Sequence, residues 1–144
     1  MHGLYFDELS VGQSAESTHV VGAGDVEAFA AVSGDHNPVH MDEEYARTTT
    51  FGGRIAHGML SAAYISAVLG NQLPGPGAIY LSQSLRFRRP VKIGDPVVAR
   101  VTVKSLDADK GHATFETACL VNGKTVIEGE ALIMVPRRGV AARS

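Results

Sequence analysis

A carboxylate and an imidazole stand five residues apart in Ser33-Gly34-Asp35-His36-Asn37-Pro38-Val39-His40, and that pair, Asp35 with His40, is the clearest means this sequence has of moving protons. An imidazole titrates near neutral pH, and a carboxylate drawn partly out of water becomes more basic, so both residue types can exchange protons under working conditions. Pro38 has no N–H to donate and pushes Asn37 toward extended geometry, so the segment reads as a bent loop that cannot be regular helix. Gly34 and Asn37 are turn formers, and an Asn side chain can tie down nearby backbone. Taken singly, Asp35 is as readable as a solvated turn carboxylate and His40 as a loop histidine. Together at this spacing they read as an acid/base pair.

The elements that must hold this pair can be read on either side of it. Asp25 is placed to cap a short helix in which Val26, Phe29, Ala30 and Val32 recur at helical spacing and which delivers the chain into Ser33-Gly34. Asp42 is placed to cap a second short helix through Arg47, and Thr48-Thr49-Thr50 and Gly52-Gly53 follow as loop. The segment from His57 to Gly70 carries no charge between Gly58 and Gly70 and is apolar or small on nearly every face, the mark of a helix enclosed by protein. It is too short to cross a bilayer, which takes roughly 20 residues. At the first turn of such a helix the Gly58 N–H has no intrahelical acceptor, and the helix dipole adds partial positive charge there, which suits a developing oxyanion.

Beyond Pro74-Gly75-Pro76-Gly77 the period changes to two. Ile79, Leu81, Leu85 and Phe87 alternate with polar neighbours, as do Val97, Ala99, Val101 and Val103, then Ala113, Phe115, Thr117 and Cys119, then Ile127, Ala131, Ile133 and Val135. Ser14 to Val21 reads as an earlier strand, and Asn122-Gly123 is a strong hairpin signal. One apolar helix to be covered and one antiparallel sheet with an apolar face predict an α+β domain over residues 1–136, with the sheet wrapped around the 57–70 helix. Residues 137–144 read as a flexible tail.

The chain has 144 residues, 44% hydrophobic, which suits one domain. A net charge of -2 with no Trp argues against nucleic acid as a partner. No stretch has the order of a signal peptide, and the single Cys119 cannot form an internal disulfide, so a soluble cytoplasmic protein is expected. Six His and fifteen acids give no pair at metal-ligand spacing that stands out, so no metal is expected. The Gly-x-Gly at 22–24 lacks the remainder of a dinucleotide fingerprint.

Ser33-Gly34-Asp35-x-Asn37-Pro38-x-His40, then Phe51, then His57-Gly58-Met59 opening an apolar helix, then Ser84-Leu85-Arg86-Phe87-x-x-Pro90-Val91 and Gly94-Asp95, resembles the MaoC-like hydratases of the hot-dog fold, and among them the (R)-specific enoyl-CoA hydratases. The resemblance spans roughly residues 8–136. It implies a homodimer whose sheets join edge to edge, and cofactor-free, reversible hydration of a trans-2-enoyl-CoA to an (R)-3-hydroxyacyl-CoA. It further implies that Asp35 and His40 hold and activate the water and deliver the proton, with the Gly58 amide as oxyanion hole.

Three further residues are candidates for binding the acyl-CoA thioester. Asn37 orders the loop and is placed to touch the water, though a turn-forming Asn with no catalytic role explains it as well; Ser66 is placed along the substrate tunnel, though a small residue in a tight helix explains it as well. Arg86, Arg88, Arg89 and Lys92 are four cations within seven residues, of a kind that binds phosphates. Arg86 represents them here, although a merely solvated face explains them too. His36 and His57 read as packing or surface residues. Two other functions compete. A hot-dog thioesterase would be expected to carry a carboxylate on its central helix, and residues 59–69 contain none. A non-catalytic acyl-thioester-binding subunit would be expected to have lost Asp35 or His40.

Overall fold

The computed structural model describes residues 2–139. A short 3-10 turn at Phe6–Glu8 leads into β1 (Ser14–Val20), α1 (Ala23–Ser33), α2 (Pro38–Met41), α3 (Glu43–Arg47) and α4 (Gly58–Asn71). The remainder is β2 (Ile79–Gln83), β3 (Arg86–Phe87), β4 (Pro96–Asp107), β5 (His112–Val121) and β6 (Lys124–Met134). All pairings are antiparallel in one sheet of order β1-β4-β5-β6-β2, with β3 also on β6. The β5–β6 hairpin turns on Asn122 and Gly123, both at positive φ, as the dipeptide predicts.

The period-two pattern fixes which side of the sheet is dry. Val97, Ala99, Val101 and Val103 of β4, Ala113, Phe115 and Cys119 of β5, and Ile127, Ala131 and Ile133 of β6 are all buried. Leu60, Ile65, Val68 and Leu69 of α4 fill the hollow they form, so the sheet curves around α4 as expected from the sequence.

Four expectations change. Gly22, not Asp25, is the N-cap of α1; Asp25 lies inside the first turn and its Oδ2 accepts the Gly22 N–H at 2.8 Å, which satisfies the same end from within. The Asp35–His40 segment does contain helix, because Pro38 stands at the first position of α2, where a missing N–H costs nothing. The helix expected to be enclosed on every side leaves Met59, Ala63, Ser66, Ala67 and Gly70 exposed along one face, since a single sheet can cover only the opposite stripe. Finally, Arg137 and Arg138, assigned to the tail, lie over Phe6 and Tyr5, and Arg138 pairs with Asp7 at 2.9 Å. Residues 140–144 of that tail lie outside the described residues.

Candidate active site

The acid/base segment is held from below by four consecutive residues, 55–58. Gly34, at φ 81, ends α1 in the left-handed conformation and turns the chain into Asp35. Asp35 Oδ1 accepts the Asn37 N–H at 3.2 Å, and Asn37 Oδ1 accepts the Val39 N–H at 3.2 Å, so each side chain caps the next bend. The chain then closes into α2, which turns His40 back toward the 55–58 stretch. There the His40 Nδ1–H donates to the Ile55 carbonyl at 2.8 Å. Only a protonated Nδ1 can meet a carbonyl, so in the neutral ring the lone pair of His40 lies on Nε2. Arg54 Nε donates to the His40 carbonyl at 2.6 Å and fixes the backbone of the same residue. The 55–58 stretch is itself pinned to the next segment, with the Ala56 N–H on the Val91 carbonyl at 2.7 Å.

His57 completes the frame. It is 2% exposed, its Nε2–H donates to the Asp35 carbonyl at 2.9 Å, and its ring stacks on His40 with centroids 4.0 Å apart. The sequence gives no reason to separate this histidine from a packing residue, because its partners come from 17 and 22 positions earlier. One donor atom each from Asp35, His40 and His57 lies within 4.8 Å of the other two. The set has donor types that a divalent cation uses, but each imidazole already gives one nitrogen to a backbone carbonyl.

His40 faces a cavity of about 420 Å³ that begins at the N-terminus of α4. Gly58, Met59, Phe51 and Phe87 line it on one side, with Arg88, Arg89 and Pro90 along another. A Cβ on residue 58 would stand 2.5 Å from Phe87 Cε1, so glycine is what lets the Phe87 ring lie against the start of the helix.

The structure brings together Asp35, His40 and Gly58, the last two through the shared cavity. It does not bring the other three candidates there. Asn37 is exposed and spends its carbonyl on capping α2, and Ser66 sits on the open face of α4. Arg86 lines a different, polar hollow of about 620 Å³ on the outer side of the sheet, with Arg100, Glu116, Glu128 and Glu130. The cations at the His40 cavity are instead Arg88, paired with Glu128, and Arg89, which makes no ion pair among the described residues. His36 is exposed, as read from the sequence.

Two buried groups beside the core complete the electrostatics. Burial pushes the Cys119 thiol up to about 12, and burial followed by the charge of Asp25 raises the Tyr64 hydroxyl to about 12. Neither can supply or take a proton near neutral pH.

Known proteins resemble this chain in sequence and fold. The family described as MaoC like domain matches residues 9–127. An (R)-specific enoyl-CoA hydratase of Rhodospirillum rubrum is 57% identical over 94% of this chain and 94% of its own length. The enzyme of the same description from Aeromonas caviae is 48% identical over 89% of this chain and 96% of its own. A solved R-hydratase of Pseudomonas aeruginosa in the unliganded form superposes with a TM-score of 0.90 at 50% identity, covering 94% of this chain and 87% of that one.

Proposed function

The chain belongs to the MaoC-like family, and from that membership and its own site we propose that it catalyses the reversible hydration of trans-2-enoyl-CoA to (R)-3-hydroxyacyl-CoA. The observation that carries the reading is that His40, with the Asp35 carboxylate within 4.8 Å of a ring nitrogen, lines one cavity together with Gly58 at the N-terminus of α4.

Hydration of a double bond conjugated to a thioester needs a base for the water, a donor for the enolate oxygen and an acid for the α-carbon. In this reading Asp35 and His40 Nε2 hold the water over C3 of the enoyl group. As the water loses a proton to the pair, its oxygen bonds to C3, and the π electrons move through C2 into the thioester carbonyl. The resulting enolate oxygen is met by the Gly58 N–H, which the first turn of α4 leaves without an intrahelical acceptor. The pair then returns a proton to C2. Water adds with no net oxidation or reduction, so the chemistry calls on no redox cofactor.

The coenzyme A arm leaves the cavity past Phe87 and Met59, and its phosphates meet Arg89, whose guanidinium has no carboxylate of its own among the described residues. A second copy of the chain covers the open face of α4, bringing Ser66 from a solvated position into an interior where it can line the acyl path. The edge strands β1 and β2 are free for such pairing. No helix among the described residues is long and apolar enough to cross a membrane, and with Cys119 buried and unpaired a reducing cytoplasm suits the chain.

The test is loss of enoyl-thioester absorbance from crotonyl-CoA, with chiral resolution of the product. The wild type is expected to give the (R)-alcohol, and Asp35→Asn and His40→Ala to fold normally while losing turnover by about 10²-fold or more. Near wild-type turnover in either variant refutes the assignment.

A further inference from the structure

We propose that His57 is a positioning residue of the acid/base site: it fixes the Asp35 backbone through its Nε2–H and presents a flat face against which the His40 ring is set. This deepens the hydration reading and rests on it for its kinetic part only.

Three contacts converge on this one side chain. Nε2 reaches the Asp35 carbonyl at 2.9 Å, the ring stacks on His40 at 4.0 Å with 29° between planes, and the Phe29 ring of α1 packs against it, tilted, at 4.9 Å. His57 is also the N-cap of α4, directly before the Gly58 amide. One residue therefore touches the carboxylate's loop and the imidazole, and adjoins the oxyanion donor. Its polar character is costly where it stands. With Nε2 protonated toward the carbonyl, Nδ1 is a buried acceptor, and it has no hydrogen-bond partner. It does not serve as a side-chain cap for the helix it begins either. A residue needed only to fill this volume would be apolar and free of that penalty. What an apolar side chain cannot do is donate to the Asp35 carbonyl.

Asp35 needs such a donor because its own segment is exposed and short of long-range ties. Its N–H meets Ser33 Oγ and its carboxylate meets the Asn37 N–H, both within two residues. The His57 bond links it to residues 22 positions later, on the rigid start of α4. Losing it lets the carboxylate drift relative to His40, and a shift of about 1 Å at reacting groups costs up to about 100-fold.

The test sets activity against packing. His57→Phe keeps an aromatic face and fills the space but cannot donate; His57→Gln loses the ring and keeps an N–H₂ that can. If His57 only packs, Phe is the better replacement in both stability and turnover. If it positions Asp35, the order splits. His57→Phe is then expected to match or exceed His57→Gln in thermal unfolding, yet to fall about 10- to 100-fold in kcat at nearly unchanged KM for crotonyl-CoA, with His57→Gln regaining a substantial part. Amide exchange at Asn37, whose N–H is held by the Asp35 carboxylate, is expected to speed up in His57→Phe more than in His57→Gln. That readout needs no turnover, so a wild type inactive on enoyl-CoA would overturn the hydration reading and leave the exchange comparison to decide this one. If His57→Phe does not fold, His57→Leu takes its place. Turnover and exchange in the apolar variant equal to or better than in His57→Gln would overturn the proposal.

Discussion

The oxyanion role proposed for Gly58 can be isolated by a pair of substitutions that differ in one N–H. Gly58→Ala alone is ambiguous, because its Cβ would stand 2.5 and 2.7 Å from the Phe87 ring. The ring is 52% exposed and can swing away, rearranging the cavity mouth as it goes. In a Phe87→Ala background that collision is gone. Gly58→Ala then keeps the amide, and Gly58→Pro removes it. The backbone accepts proline here for two reasons: residue 58 opens the helix, where proline is at home, and His57 at φ -59, ψ 134 already has the conformation proline imposes on the residue before it. Both double variants should fold with similar thermal stability, which circular dichroism checks. Deleting one oxyanion donor costs about 10²–10³ in kcat, roughly 3–4 kcal/mol, with a much smaller change in KM. The assay is saturating crotonyl-CoA followed by thioester absorbance. A Pro-to-Ala kcat ratio within about threefold, far below the cost of losing a donor, refutes the reasoning and removes Gly58 from the site.

Arg89→Glu is expected to raise KM for crotonyl-CoA several-fold at similar kcat, while leaving unchanged a short crotonyl thioester that carries no phosphate; equal effects on both would show that Arg89 does not meet the nucleotide end. The folded state holds the Cys119 proton more firmly than the unfolded chain, with the thiol moved from 9.0 to about 12, and Tyr64 is moved from 10.0 in the same direction. Stability is therefore full below about pH 9 and falls as pH rises toward 12, with Cys119 contributing up to about 1.4 kcal/mol per pH unit, readable in urea midpoints of wild type against Cys119→Ala. Ala67→Arg, on the open face of α4, should convert a dimer to a monomer in sedimentation; an unchanged dimer would place the contact elsewhere.

The parts of the molecule visible in the sequence were those set by short-range rules. Asn122-Gly123 fixes its turn through two positive φ angles, the alternation from Val97 to Val135 fixes a face, and Asp35 with His40 share a bend set by Gly34 and Pro38. His57 was not visible, because its value lies in contacts with residues far behind it in the chain. Alternation set Arg86 and Arg88 on the polar face, where both stand, but for a local reason it could not follow Arg89. β2 ends at Gln83 and β3 spans only Arg86–Phe87, after which the Arg88 and Arg89 N–H groups both fall on the Val126 carbonyl, at 2.8 and 3.3 Å. That bulge interrupts the two-residue period. Arg86 and Arg88 stay with the acidic outer face, Arg88 paired with Glu128, while Arg89 falls at the rim of the cavity that Arg88 also borders. The open face of α4 was read as covered because hydropathy reports that a helix needs cover, not whether one chain supplies all of it.

The stretch from Ile55 to Gly58 also divides what can change from what cannot. In four steps it presents a carbonyl to His40, a ring to Asp35 and His40, and a glycine to the cavity, so in the proposed reaction its spacing acts as a ruler. One inserted or deleted residue would put all three out of register together. The side chains that shape the cavity mouth, Phe87, Arg88 and Arg89, hang on a separate strand and its bulge. In the proposed reading, proton transfer and recognition of the coenzyme A end thus lie on different segments, so changes along residues 87–89 are expected to alter thioester binding while the proton chemistry stays as it is.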